Sequence, residues 1–155
     1  MTTLLFALFL INLTYIIYQD FKNLEILLVS ILISFSLQYF LYLKGFYSVH
    51  WMDIIVNITL LAFNFLIILI YYRIKEKSTR KNLKGLIGNG DLLFLISCSI
   101  CFNTMYFLIF LVISFTVAAL FGLILYSKKP LPLVSFIGIT LLLFHLIKFY
   151  EFNFK

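Results

Sequence analysis

The stretch LKGLIGNGDLLF, residues 83–94, joins the most basic part of the chain to one of its most apolar parts. At the join stand Gly88, Asn89, Gly90 and Asp91. An acid at the mouth of an apolar helix is costly unless it has a task. Upstream of this stretch lie Arg73, Lys75, Lys77, Arg80 and Lys81, and Lys84 stands within it; downstream the chain is again apolar. The pattern is that of a loop entering a membrane helix.

The rest of the chain fits that reading. It has 155 residues, of which 64% are hydrophobic and 12% charged, with nineteen Phe. A soluble domain of this size leaves too much surface exposed to hide so much apolar area. The bilayer is the natural solvent, and residues 1–155 read as a single transmembrane domain. The net charge of +6 does not indicate nucleic-acid binding. The basic residues sit between apolar runs, where cytoplasmic loops carry Lys and Arg. The two cysteines, Cys98 and Cys101, lie in an apolar run without a second pair, so they read as packing residues and no metal is expected. The N-terminal run lacks a basic flank and a small-x-small cleavage site, and it reads as a retained first helix.

Apolar runs fall at 2–18, 24–43, 54–72, 92–102, 105–126 and 131–149. Most are long enough to cross ~30 Å of hydrocarbon at about 1.5 Å per residue. The fourth is short, and reads either as a tilted half-span or as a helix starting near Leu86. The expectation is an all-α polytopic membrane protein with about six transmembrane helices. With the N-terminus outside, nine Lys/Arg face the cytoplasm and three, Lys44, Lys148 and Lys155, face out. That bias predicts N-out and C-out topology. Tyr47 and Trp51 then fall in the outer aromatic belt. The sequons at Asn12 and Asn57 fall inside spans and are discounted.

Six acids remain to be explained. Asp53 and Glu151 fall on the outer side, and Glu76 lies within the basic loop. Glu25 suits the first turn of the second helix. Asp20 closes the first helix and Asp91 opens the fourth, at the same cytoplasmic depth. Either alone reads as a helix-end acid wetted by headgroup water. Together they read as a pair of which one keeps its proton while the other acts as base on a shared water. Gly88 and Gly90 would give a peptide room to lie beside Asp91, and Asn89 tolerates a left-handed backbone. A phosphate cradle would need a preceding strand, and none is present. His50 falls in an outer loop. His145, inside the last span, is expected to bond a neighbouring helix.

On these residues the chain resembles the type IV prepilin peptidases and their archaeal preflagellin relatives, polytopic aspartic peptidases of the inner membrane. That family carries a first Asp in the pattern D-x5-I-P-N; here DFKNLEILL places Asp20 and Ile26 in register. Its second motif is G-x-G-D, here Gly88–Asp91 in GNGDLL. PLPLVSFIG, residues 130–138, resembles the proline-containing start of the last core helix. The resemblance runs from Tyr18 to Gly138. It departs at Leu27 and Leu28, where the family has Pro-Asn, and at Leu93, where it has Lys. The cytoplasmic insertion with paired Cys-x-x-Cys, associated with methyltransferase activity, has no counterpart.

The resemblance implies an aspartic endopeptidase of the cytoplasmic (inner) membrane, with Asp20 and Asp91 catalytic and Gly88, Asn89 and Gly90 as the active-site loop. It needs no cofactor. Its substrates would be prepilin, pseudopilin or preflagellin chains, cut behind a short basic leader at the cytoplasmic face. Membrane lipids would meet the basic loop 73–84. Two alternatives stand beside this reading. One is a presenilin-type or signal-peptide-peptidase-type enzyme, which also uses G-x-G-D. The other is a small multi-pass transporter or assembly subunit that uses Asp20 and Asp91 as proton or cation sites.

Overall fold

A computed structural model describes residues 2–24, 26–75, 89–125 and 132–153. Among them are six helices and no strand: α1 (Thr2–Asn23), α2 (Leu28–Leu43), α3 (Trp51–Lys75), α4 (Asn89–Cys98), α5 (Thr104–Leu125) and α6 (Leu133–Asn153). Three of them, over Thr2–Asn23, Thr104–Gly122 and Leu133–Glu151, are long and apolar enough to cross a membrane. The all-helical class matches the apolar runs, whose lengths favour helix over strand.

Side chains sort by radial position. Phe9, Leu13 and Ile16 of α1 are fully buried, whereas Leu4, Ile11 and Tyr18 are exposed. A helix apolar all round, with one buried stripe, is one that packs on its neighbours and meets lipid elsewhere. Helix α1 packs between α2 and α6; α5 and α6 pair; α4 lies against α2 and α6. Helices α1 and α6 run antiparallel in close register. Phe9 and Asp20, about 16 Å apart along α1, meet His145 and Ser135, about 15 Å apart along α6.

Helix ends show which residues turn the chain. Helix α2 ends in a pair of bonds, Gly45 N–H to Tyr42 O at 2.9 Å and Phe46 N–H to Leu41 O at 3.1 Å, with Gly45 left-handed at φ +71°. This is the glycine-dependent Schellman closure. Helix α1 runs past its apolar stretch to Asn23 and closes through Leu24, at φ +55°, whose N–H reaches Asp20 O at 2.9 Å. The same left-handed turn is made there by a residue with a Cβ, at a cost of roughly 1–2 kcal/mol.

Several expectations are revised. Helix α4 is described from Asn89, with Leu86 outside the described residues, and it stops at Cys98, short of the end of the apolar run at 102. The reason is Asn57, fully buried in α3, whose Nδ2 donates to Ser99 O at 3.1 Å and Phe102 O at 2.9 Å. It satisfies the carbonyls of the turn between α4 and α5, so the helix need not continue. Cys98 and Cys101 are both buried packing residues, but Cys101 lies in that turn, not on the face of one helix. Tyr47 is not a belt residue. It is 4% exposed, because its hydroxyl has a buried partner.

Candidate functional site

Asp20 stands in the last turn of α1 and is 4% exposed. Its Oδ2 accepts the backbone N–H of Ser135 at 2.6 Å and the Ser135 hydroxyl at 2.7 Å. Ser135 is fully buried in the first turn of α6, where N–H groups have no partner within the helix. The carboxylate therefore acts as a cap delivered from another helix. Pro132 precedes α6 directly and helps start it. Among the described residues, Asp20 Oδ1 accepts no hydrogen bond.

The approach of α6 to α1 depends on Gly138. A Cβ there would lie 2.8 Å from Ile17 Cγ1 and 3.2 Å from Ile17 Cδ1. Ile17 and Asp20, three apart on α1, thus face Gly138 and Ser135, three apart on α6. The small residue brings the backbones together, as in membrane helix pairs generally. Ser135 Oγ also lies 3.2 Å from the Ile17 carbonyl oxygen. One hydroxyl proton serves one acceptor, and the nearer one is the Asp20 carboxylate.

Asp91 is half-buried in the first turn of α4. Gly90 beside it packs against the α1–α2 connection: a Cβ on Gly90 would meet Ile26 Cβ, Ile26 Cδ1 and Ile31 Cδ1, each at 3.8 Å. Ile26 follows Asp20 in the first motif, and Gly90 precedes Asp91 in the second, so the two motifs touch. Helices α2 and α6 each pack on both α1 and α4. The helix that carries Asp20 and the helix that carries Asp91 therefore share both neighbours, and the two acids face one end of the bundle.

The glycine-rich stretch corrects the sequence reading. Asn89 and Gly90 are helical residues of α4, and neither has a positive φ. Among the described residues only Leu24 and Gly45 do. The distances that a Cβ at Gly90 would meet are ordinary ones, so neither space nor backbone angle requires glycine there. Gly88, Glu25, Glu76 and most of the basic loop lie outside the described residues.

The opposite end of the bundle is a closed polar network. His145, fully buried, bonds through Nε2 to Tyr47 OH at 2.7 Å and through Nδ1 to Leu141 O at 2.9 Å. A carbonyl only accepts, so Nδ1 carries the ring proton and the Tyr47 hydroxyl donates to Nε2. His145 thus bonds the α2–α3 connection rather than a helix. Phe9 flanks its ring at 4.8 Å between centroids. Asp53 Oδ2 accepts His50 N–H at 3.0 Å, and its Oδ1 accepts Thr104 Oγ at 3.0 Å and Thr104 N–H at 3.3 Å, joining α3 to α5. Among the described residues no cluster of three His, Cys, Asp or Glu is placed to hold a metal.

Ser135 is the residue of the site that sequence reasoning missed. The only signal was its place in PLPLVSFIG, just after a proline and three before a glycine. No family model, curated protein or solved structure matches this chain.

Proposed function

We propose that the protein is an intramembrane aspartic endopeptidase of the prepilin-peptidase type. The observation that carries the reading is the closeness of Ile26 to Gly90, where a Cβ would lie 3.8 Å from Ile26, so that the stretch after Asp20 and the residue before Asp91 are neighbours. Two acids on separate helices at one end of an apolar bundle, one clamped through a single oxygen, suit a carboxyl dyad.

The chemistry balances on two carboxyls and one water. One carboxylate takes a proton from water as the water oxygen bonds to the scissile carbonyl carbon. The other, protonated, carboxyl gives its proton to the carbonyl oxygen. In the second step the C–N bond breaks. The amine leaves with the proton held by the first carboxyl, and a hydroxyl of the tetrahedral intermediate returns one to the second. In this reading the six helices all cross the cytoplasmic membrane, with both termini outside. The dyad then lies at the cytoplasmic face, where a short basic leader meets the apolar helix of a prepilin-like chain.

The test is a reconstituted-liposome assay with two substrates, one carrying a basic leader before an apolar helix and one with a scissile segment at mid-membrane. Cleavage of the first alone is the expected result. Cleavage of the second alone points to a presenilin-type enzyme. Proton flux with no peptide cut would place the acids in a transporter.

A further inference from the structure

We propose that Ser135 is the positioning residue of Asp20: by engaging Oδ2 with two donors it fixes the carboxyl plane and confines the proton that Asp20 exchanges to Oδ1. The proposal rests on the aspartic peptidase reading above and assigns a part of its machinery that neither motif contains.

The geometry leaves little freedom. Both Ser135 donors, the backbone N–H at 2.6 Å and Oγ at 2.7 Å, converge on one oxygen. A carboxyl held through one oxygen by two donors from a rigid helix turn cannot rotate about its Cβ–Cγ bond without breaking both. With two donors on Oδ2, the neutral carboxyl is favoured with its carbonyl oxygen there and its proton on Oδ1. The proton therefore enters and leaves at Oδ1, which has no hydrogen bond among the described residues. A dyad acid that gains and loses a proton in each turnover needs this constancy, since a misplacement of about 1 Å costs on the order of 100-fold in rate.

Gly138 is the second half of the device. It sits one turn beyond Ser135 against Ile17, where a Cβ would be 2.8 Å from Cγ1. The two rungs, Ile17 on Gly138 and Asp20 on Ser135, set one helix separation. A side chain on the first rung lengthens the bonds of the second.

Three measurements test the assignment in the full chain in liposomes. Ser135→Ala should lower kcat about 10- to 100-fold with KM unchanged, and Ser135→Thr, which keeps the hydroxyl, should restore most of it. Gly138→Ala should lower kcat, and Ile17→Ala in the same chain should recover it by making room. Infrared difference spectra should show the carboxyl C=O band of protonated Asp20, identified by its loss in Asp20→Asn. In Ser135→Ala that band should move to higher frequency as the oxygen loses a donor. An unmoved band, or wild-type kcat in Ser135→Ala, overturns the clamp. A wild-type chain that cuts no leader overturns the peptidase reading instead, and the infrared band still decides whether Ser135 holds Asp20.

Discussion

Helices α1 and α2 both end in a left-handed turn, one on leucine and the other on glycine. At Gly45 the turn is free of steric cost and leads into the closed network of Tyr47 and His145. At Leu24 the same turn is strained, and it closes directly onto the backbone of Asp20. Backbone strain of this kind gathers at sites where geometry matters more than stability. The two ends of the bundle divide the work accordingly. At the Tyr47–His145 end the imidazole is buried and bonded through both ring nitrogens, which ties the α2–α3 connection to α6. At the Asp20–Asp91 end, Asp20 Oδ1 accepts no hydrogen bond among the described residues, and in the proposed reading that oxygen does the chemistry.

The division is open to attack by substitution, and the largest effect should come first. Asp91→Asn should remove leader cleavage almost entirely, a loss on the order of 100- to 10,000-fold for a proton-transfer group. Asp53→Asn, an acid of similar type at the other end, should lower the thermal midpoint by weakening the ties of Oδ1 and Oδ2 to Thr104 and His50. Turnover by its folded fraction should stay unchanged. Equal losses of turnover in the two variants would erase the distinction between the ends.

A smaller effect is expected at Tyr47→Phe. The ring stays in place under Lys148, whose Nζ lies 5.8 Å from its centroid. His145 Nε2 loses the one donor it has among the described residues and is left buried without it, which costs roughly 1–3 kcal/mol. Thermal unfolding should show that loss while kcat holds. Unaltered stability would mean that Tyr47 does not anchor this end. The smallest effect is at Leu24→Gly, which should raise stability by about 1 kcal/mol by relieving the left-handed strain. If it also lowers kcat, the stiff leucine turn contributes to holding Asp20; if stability falls, the turn is not strained.

Much of this was legible in the sequence. An apolar run marked each helix among the described residues, and three of those helices are long and apolar enough to cross a membrane. Asp20 and Asp91 stood out because acids are rare in such surroundings. The boundaries were less legible. Helix α1 extends past its apolar run, since Gln19, Asp20 and Lys22 are compatible with a helix terminus. Helix α4 stops early because Asn57, distant in sequence, supplies the donors its turn needs. Ser135, Tyr47 and His145 could not be paired from sequence, since their partners lie about a hundred residues away and no local period records them. The residue type of Asn89 tolerates a left-handed backbone, but Asn89 and Gly90 are helical, with Ile26 and Ile31 beside Gly90.

The most direct test of the account is a double-mutant cycle on kcat/KM for leader cleavage, using Asp20→Asn, Asp91→Asn and the two together. Two carboxyls that share one water and one proton act as a unit, so removing either should cost as much as removing both. The expected result is three variants with the same residual rate. Additive losses, or a single variant that cleaves at the wild-type rate, would contradict the dyad.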